Sequence, residues 1–363
     1  MAKLFGLADR YIATRIIGAV IVILLAFTGL LVLFALLEEF EDRSGTYGYW
    51  QASLYVLYTL PRQVYTVLPY AVFLGSLVGL GNLASSGQLT AFRAAGMNPG
   101  RLFRGVFAAV ALFTAFGLLL GERVAPDGEA RATLAKTQAR QGSLDVVLRR
   151  GYWYREDELF MSVDGLSRDG ELRGVRQFWF DGNNRLLRSR YANSASYRPA
   201  ASGRPGRWEL RGVVESLIDD GRIETQRHER LDWPGSVTPE LLSSSVLLEP
   251  GKLSISALAL QVDYMRREGL EPGVYQIEFW SKLLQPLSVL ALSLLALGFV
   301  LGPLRQVSLG TRLATGIFTG LGFKYLQDLF APMTQVYGLP APIAVLIPIA
   351  LCALAAVTAI RRA

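Results

Sequence analysis

The chain has 363 residues, of which 51% are hydrophobic and 18% are charged, with a formal net charge of +7 and a mean hydropathy of +0.31. Because charged residues make up roughly a quarter of an ordinary soluble domain, this composition excludes that class of protein. Long uncharged runs fill the first third and the last quarter of the chain, whereas residues 122–273 are polar and charged.

Six apolar runs are candidates for transmembrane helices. The hydrocarbon core of a bilayer is about 30 Å thick and requires roughly 20 apolar residues in a helix. The third run is slightly short, and the fifth qualifies only if Lys324 and Asp328 are tolerated inside the membrane. No small-residue cleavage site follows the first run, so we expect a retained helix rather than a signal peptide. The predicted segments are residues 17–37, 63–84, 105–121, 283–304, 313–330 and 337–360.

The positions of lysine and arginine predict the orientation of these helices, because short cytoplasmic loops carry an excess of both. The short segments on one side are basic, whereas those on the other are acidic (residues 38–42) or neutral (residues 332–339). We therefore expect both termini in the cytoplasm and residues 122–273 outside it. This bias and the insert account for the positive net charge, which is no argument for a nucleic-acid partner. The basic residues are Lys3, Arg10, Arg15, Arg93, Arg101, Arg104, Arg305, Arg312, Arg361 and Arg362.

The insert has the sequence pattern of antiparallel β structure. Segment 175–180 is followed by a turn at residues 181–184 and by another extended run, which predicts a hairpin. Clusters of Gly, Pro and Ser separate the extended segments. A sandwich or an open barrel would bury such strands. The other predicted strands are residues 152–154, 159–163, 207–216 and 222–226.

Motifs for catalysis and metal binding are absent from the sequence. The one histidine, His228, lies in a polar stretch of the insert, where we expect an ordinary surface or strand residue. No Cys/His cluster has metal-ligand spacing, and no G-x-x-x-x-G-K-[ST] motif is present to hold nucleotide phosphates. The one cysteine, Cys352, lies in the last predicted helix, so the insert depends on its core rather than on a disulfide. If the protein uses ATP, we expect a partner to hydrolyse it.

The charges within the fifth predicted helix indicate a special environment, because a charge in hydrocarbon costs roughly 2.5 to 3.5 kcal/mol. Lys324 lies about 18 Å along the helix from Arg312, in the outer half of the membrane. Asp328 lies one turn further on the same face. Either the pair neutralises itself while Lys324 extends towards water, or Lys324 faces a cavity that receives an anionic amphiphile.

A short amphipathic helix is predicted at about residues 85–97, between the second and third membrane helices. Gly96 would end this helix, and Leu89, Phe92 and Ala95 share one of its faces. Its cytoplasmic position and flanking arginines favour insertion into a cleft of a soluble subunit. A helix resting on lipid headgroups is the alternative.

Five short motifs follow one another along the chain in a specific order and spacing. They are Leu-Ala-Asp-Arg-Tyr-Ile at residues 7–12, Gly-Glu-Arg-Val-Ala-Pro at 121–126, Phe-Trp-Ser-Lys-Leu-Leu-Gln-Pro-Leu-Ser at 279–288, Gly-Pro-Leu-Arg at 302–305 and Val-Tyr-Gly-Leu-Pro at 336–340. Together they resemble the LptF/LptG permease family of the lipopolysaccharide exporter, and its LptG branch more than its LptF branch. The resemblance covers nearly the whole chain.

The resemblance implies an α-helical protein of the bacterial inner membrane with six transmembrane helices and an inserted all-β, jellyroll-like periplasmic domain. Residues 1–121 would hold helices 1–3, residues 122–273 the β domain, and residues 274–363 helices 4–6. Helices 1 and 5 would form lateral gates of a cavity that takes lipopolysaccharide from the outer leaflet. Segment 85–97 would be the coupling helix that docks into the ATPase.

The resemblance also implies partners and cofactors. The homologous permease LptF and a dimer of the cytoplasmic ATPase LptB would complete the transporter. ATP and magnesium would bind in LptB, and no cofactor would bind in this chain. Membrane-anchored LptC and the periplasmic bridge protein LptA would receive the lipopolysaccharide.

Candidate site residues follow from the same resemblance. Arg62 matches a basic position at the mouth of the cavity, and Lys136 matches one just above the third helix; each could instead be an ordinary surface cation. Both suit the phosphates of lipid A, since charge-assisted contacts are strong. With Lys324 and Asp328 they form the predicted lipopolysaccharide-binding set. The residues predicted to couple the chain to the ATPase are Ser86, Gly87, Gln88, Leu89, Phe92, Arg93 and Gly96.

Two positions depart from the family pattern. Some relatives carry lysines at the outer end of helix 1, where residues 38–42 of this chain are rich in acids. Phosphate binding there would need Lys324 or bridging divalent cations. Gln88 stands where some relatives have glutamate, so a neutral hydrogen bond and apolar docking would replace a salt bridge to the ATPase.

Two other functions fit part of the sequence. A membrane-anchored periplasmic scaffold or binding protein would be stable without a partner and would have no transport cycle. An enzyme that acts on a lipid headgroup would need nucleophilic or metal-binding residues at the outer membrane face, and the sequence provides none.

Overall fold

The computed structural model describes residues 6–41, 47–94, 96, 99–141, 152–167, 170–183, 185–199, 206–219, 222–234, 248–302, 304 and 307–362. Lys3, Asp42 and Arg305, which supported the predicted orientation, lie outside these residues. The same is true of residues 95 and 97 in the predicted coupling helix and of residue 184 in the predicted turn.

Helices form the two ends of the chain, and the strands of the sheet lie between them in the sequence. A π-helical turn, Leu120–Val124, joins α4 to α5, so helical structure continues past residue 121, where the first membrane unit was predicted to end. The described helices are α1 (Leu7–Glu41), α2 (Tyr49–Ser85), α3 (Gln88–Ala94), α4 (Pro99–Leu119), α5 (Ala125–Gln141), α6 (Ile255–Arg267), α7 (Gly273–Leu283), α8 (Gln285–Leu301), α9 (Leu309–Phe330), α10 (Met333–Tyr337) and α11 (Ala341–Arg361).

Four helical segments in the described chain are long and apolar enough to cross a membrane: Ala8–Glu41, Tyr49–Ser85, Phe103–Thr137 and Ala341–Arg361. The pair α7 and α8, bent by 51° at their junction, adds a fifth if it is one span. Helix α9 has 22 residues but is not among these segments, and it carries the charges of Arg312, Lys324 and Asp328. The described residues therefore support a helical membrane protein with four or five spans, and the sixth stays a prediction.

Small residues allow the membrane helices to pack with their backbones in contact. A Cβ atom added at Gly75 of α2 would lie 2.5 Å from the Cα of Val20 in α1. An added Cβ at Gly128 of α5 would overlap the carbonyl oxygen of Tyr58 in α2. Lipid tails are as apolar as leucine, so close packing rather than the hydrophobic effect holds such helices together. These glycines therefore fix α1 and α5 against α2.

The middle of the chain forms a six-stranded antiparallel sheet whose strands neighbour one another in sequence order. The predicted strands and hairpin are confirmed: the Asp181 Oδ1 atom accepts hydrogen bonds of 2.8 Å from the backbone N–H groups of Asn183 and Arg185. The described strands make one sheet, and the predicted sandwich, open barrel or jellyroll-like arrangement stays a prediction. They are β1 (Tyr152–Glu156), β2 (Leu159–Leu166), β3 (Leu172–Phe180), β4 (Leu186–Arg198), β5 (Arg207–Asp219) and β6 (Arg222–Trp233).

The pattern of core-facing side chains shifts at one level across three neighbouring strands of the sheet. Core-facing side chains along β3, β4 and β5 are spaced by two residues except at one step of three, which lies at the same level in each strand. Gly174 and Gly212 occupy this step in β3 and β5 with φ angles of +61° and +62°, which glycine adopts without strain. The pairing register of the three strands continues through this step without a shift. The paired core residues are Leu172, Ala195 and Leu210 on one side and Val175, Ala192 and Val213 on the other.

Helix α6 attaches the sheet to the membrane helices. Its Tyr264 ring stacks on Tyr154 of β1 with centroids 4.9 Å apart, and the Tyr264 hydroxyl donates to the backbone carbonyl of Arg155 at 2.7 Å. At the other end of α6, the Glu122 carboxylate of the π-helical turn accepts hydrogen bonds from the backbone N–H groups of Ile255 (2.9 Å) and Ser256 (3.2 Å). A carboxylate at a helix N-terminus is stabilising, so α6 is bound to both units.

Replacement of Gly128 by alanine tests the contact between α5 and α2. Gly128→Ala is expected to lower the free energy of unfolding by about 1 to 3 kcal/mol, because the added methyl group would overlap the Tyr58 carbonyl. Thermal unfolding of the purified protein in mild detergent measures the change. Gly29→Ala in α1 is the matched control, since nothing lies within 4 Å of its added Cβ. Equal unfolding midpoints for the two variants would contradict the close contact.

Candidate functional site

An apolar cavity of about 250 Å³ lies between α1, α2 and α9. Its walls include Phe27 and Leu31 of α1, Phe73 of α2 and Ile317 of α9. Glycines at positions 316 and 320 of α9 also line it, so the α9 wall contributes little side-chain volume there. A cavity of this composition suits hydrocarbon chains. The one charged side chain in its lining is Lys324.

A polar cavity of about 380 Å³ adjoins the apolar one, and both are lined by Tyr70 and Lys324. Four cations outnumber two carboxylates in the polar lining. The cations are Arg62, Lys252, Lys282 and Lys324, and the carboxylates are Glu278 and Asp328. An apolar space beside a cationic one is suited to an amphiphile with acyl chains and an anionic headgroup.

The Lys324–Asp328 pair lies where the two cavities meet. The Lys324 Nζ atom is 2.5 Å and 2.6 Å from the two carboxylate oxygens of Asp328. The side chains are 45% and 54% exposed, and exposed pairs contribute only about 0 to 1 kcal/mol. Lys324 is thus both paired with Asp328 and part of the cavity lining, and the binding of an anionic amphiphile there stays a prediction.

Arg62 lines the polar cavity and also a third cavity, of about 390 Å³. Its Nη1 atom is 3.5 Å from Oε1 of Glu129 in α5, whose side chain is only 3% exposed. The Lys252 Nζ atom lies 3.7 Å from the other oxygen of the same carboxylate. Two cations are thus held by one buried acid at distances longer than a strong hydrogen bond. Arg62 keeps donor capacity for an anion.

Lys136 lies apart from the other predicted cations and lines none of these three cavities. Its Nζ atom is 2.6 Å from Glu39 Oε1 and 4.8 Å from the centroid of the Tyr55 ring. The Tyr47 hydroxyl donates to the second Glu39 oxygen at 2.7 Å. Of the acids at this end of α1, Glu39 is therefore buried and paired with Lys136, whereas Glu38 and Glu41 are exposed.

Lys282 is a cavity residue that the sequence analysis did not single out. Its buried Nζ atom donates to the carbonyl oxygen of Leu253 at 2.5 Å and lies 5.7 Å from the centroid of the Tyr65 ring. The signal was available, because Lys282 immediately precedes the apolar run of residues 283–304. Lys252 and Glu129 lie in the polar insert, where no pattern distinguishes them from other charges.

The predicted coupling segment contains the helix α3, which is shorter than residues 85–97. Leu89 is buried within the core of the membrane helices, and Phe92 packs against that core. Gln88 is half-buried and accepts a hydrogen bond from Tyr11 of α1. Ser86, Gly87 and Gly96 are exposed, and the side chain of Arg93 lies outside the described part. The apolar face of α3 thus packs inside the chain, and the interaction of this segment with a partner stays a prediction.

Comparison with known proteins decides the family. The profile of the family described as "Lipopolysaccharide export system permease LptF/LptG" matches residues 10–362. This chain belongs to the LptF/LptG family. The relatives in Haemophilus influenzae and Escherichia coli K12 are both named "Lipopolysaccharide export system permease protein LptG". The first is 33% identical over 341 residues, with 94% of each chain covered, and the second is 34% identical over 346 residues, with 95% of each chain covered.

Membership in the LptF/LptG family confirms the resemblance drawn from the five motifs. The matched region contains both cavities, the sheet and α3. The relatives bear the name of the LptG permease rather than that of LptF, as the motifs had indicated. Helical membrane segments and a separate β unit are the organisation that the family resemblance led us to expect.

The Glu39–Lys136 pair is expected to contribute more to the free energy of unfolding than the Lys324–Asp328 pair does. Lys136→Met should cost about 1 to 3 kcal/mol, because it removes the cation bonded to a buried carboxylate. Lys324→Met, the matched control at an exposed pair, should cost about 0 to 1 kcal/mol. Denaturant unfolding in detergent compares the two. Adding Glu39→Gln to Lys136→Met should restore part of the lost stability. Equal losses of stability in the two single variants would show that burial of the pair does not determine its contribution.

Proposed function

We propose that this chain is the permease subunit of an ABC-type exporter that extracts lipopolysaccharide from the outer leaflet of the inner membrane and passes it to a periplasmic bridge. The observation that carries the proposal is the match of residues 10–362 to the LptF/LptG family. Relatives named LptG, aligned over nearly their whole length, support it.

The paired cavities support lipopolysaccharide as the substrate. Its acyl chains would enter the apolar cavity between α1, α2 and α9, while its phosphates would face the cations of the polar cavity. Arg62 and Lys324 are the proposed phosphate contacts, because the first is loosely held and the second belongs to an exposed pair. Asp328 would then release Lys324 when a phosphate replaces it. Lys136 would act indirectly, by neutralising Glu39 near the mouth.

The proposed topology has six transmembrane helices, with the bent pair α7–α8 as the fourth and α9 as the fifth. Cavity-facing charges explain why α9 would span the membrane with a lower hydropathy than the others. Both termini would lie in the cytoplasm and the sheet in the periplasm, where it would form the jellyroll-like domain of the family.

The proposed partners are LptF, an LptB dimer that binds ATP and magnesium, membrane-anchored LptC and the bridge protein LptA. Coupling to LptB would use the exposed residues of the segment around α3, namely Ser86, Gly87 and Gly96. Arg93 is a further proposed contact. Gln88, Leu89 and Phe92 would support this surface from the inner side, since they contact the chain's own helices.

Affinity purification from native membranes in mild detergent tests the proposal as a whole. Co-purification of a second permease, an ATPase and bound lipopolysaccharide is the expected result. Recovery of a stable, lipid-free chain without partners would instead favour a membrane-anchored periplasmic scaffold. The readout is protein and lipid mass spectrometry of the same sample.

Charge reversal at Lys324 tests the substrate site. Lys324→Glu is expected to reduce photocrosslinking of lipopolysaccharide to residues of the apolar cavity while the complex still assembles, because a phosphate would meet a carboxylate. Arg266→Glu is the matched control, since Arg266 is an exposed residue of α6 that lines neither cavity. Lipopolysaccharide crosslinking at the control level in Lys324→Glu would rule out a phosphate contact there.

A further inference from the structure

Helix α3 is bonded to the cytoplasmic end of α1 through a single tyrosine. The Tyr11 hydroxyl donates to Gln88 Oε1 at 2.9 Å and accepts from Arg15 Nη2 at 3.0 Å. The Tyr11 ring meets the Phe92 ring edge-on with centroids 6.4 Å apart. The guanidinium carbon of Arg15 lies 5.1 Å from the centroid of the Tyr11 ring. Tyr11 thus contacts two residues of α3 while Arg15 holds it from its own helix.

Helix α1 connects this contact to the apolar cavity. It runs without proline over 35 residues, and its residues Phe27, Leu30 and Leu31 line the cavity. Tyr11 lies about 24 to 30 Å from those residues along the helix axis. A continuous helix of this length can carry a displacement from one end to the other.

The packing of α1 differs along its length. Its cytoplasmic part is anchored by the buried residues Ile12, Ile16 and Val20, and Val20 makes the backbone contact with Gly75 of α2. Between Val20 and Glu39, the one buried residue of this described helix is Thr28. Few buried contacts mean that the outer stretch moves at low cost. The Val20–Gly75 contact is therefore the point about which α1 would pivot.

We propose that Tyr11 is a positioning residue that ties α3 to α1, so that a partner bound to the exposed side of α3 shifts the stretch of α1 lining the apolar cavity. The shift pivots on the Val20–Gly75 contact and changes the width of the cavity between α1 and α9. The inference rests on the proposed function, because it takes the cytoplasmic partner to be the ATPase. Such coupling requires two distinct sites and a structural element that contacts both of them.

Tyr11→Phe is the central test, because it removes the hydroxyl and keeps the ring against Phe92. The variant is assembled with its partners, and proteoliposomes report ATP hydrolysis and lipopolysaccharide release. Assembly and basal hydrolysis should stay at the unsubstituted level, while lipopolysaccharide released per ATP should fall roughly 2- to 10-fold, the factor for one lost hydrogen bond. Thr14→Val is the matched control. Its hydroxyl donates to the Arg10 carbonyl within α1, so this variant should leave the ratio unchanged.

Substitutions at Gln88 separate the hydrogen bond from other effects of Tyr11. Gln88→Glu keeps an acceptor for the Tyr11 hydroxyl and should retain coupling, whereas Gln88→Leu should lose it. The loss in Tyr11→Phe combined with Gln88→Leu should equal that of either single variant, because both remove the same bond. Additive losses would overturn the proposal.

Movement of α1 is measured directly with spin labels on cysteines introduced at Leu33 of α1 and Tyr325 of α9, which are 54% and 69% exposed. The native Cys352 is replaced by serine. A non-hydrolysable ATP analogue should change the label distance in the otherwise unsubstituted complex and change it less in Tyr11→Phe.

The outcomes separate this inference from the proposed function. An unsubstituted complex that releases no lipopolysaccharide would overturn both. A functional unsubstituted complex with the same release ratio and the same label displacement in Tyr11→Phe would overturn the inference alone. Loss of assembly in Tyr11→Phe would also overturn it, because Tyr11 would then be a structural residue.

Discussion

The membrane unit depends on close backbone packing around α2. A Cβ at Gly75 would overlap Val20 of α1, one at Gly81 would lie 2.7 Å from Nη1 of Arg312 in α9, and one at Gly128 of α5 would overlap Tyr58. In lipid, association of helices gains little from the hydrophobic effect, so such contacts set their positions. Because α1 and α9 are the outer walls of the apolar cavity, the glycines of α2 determine where that cavity lies.

Buried acids form a second set of ordering contacts, at the ends of the membrane helices nearest the sheet in the sequence. Glu39 binds Lys136, Glu129 lies between Arg62 and Lys252, and Glu122 accepts two backbone hydrogen bonds from the start of α6. Glu39 joins α1 to α5, whereas Glu129 and Glu122 join segments that precede and follow the sheet in the sequence. Removing one partner would leave a charge in a poorly solvated place. Through α6, whose Tyr264 contacts β1, the Glu122 contact binds the sheet to the helices that form the cavities.

The sequence predicted those features that leave a periodic or compositional pattern. Long apolar runs located the helices, and alternating segments with turn residues located the strands and the hairpin at Asp181. It could not predict the partner of Glu39, since no local pattern indicates a lysine in a different helix. The apolar face of α3 was recognised, but such a face packs equally well on a partner or on its own chain. Gly174 and Gly212 were visible within strands, yet only the pairing of neighbouring strands places them at one level of the sheet.

The two walls of the apolar cavity differ in how firmly they are held. Buried residues of α9 include Arg312, Gly316, Gly320 and Phe323, so this wall is packed as far as the residue before Lys324. The facing stretch of α1 has few buried residues beyond Val20. Because α9 is packed up to Phe323, the position of Lys324 is fixed. The stretch of α1 with few buried residues can move to accommodate a bulky hydrocarbon group. On the proposed function, the charge on α9 would locate the lipid and movement of α1 would admit it.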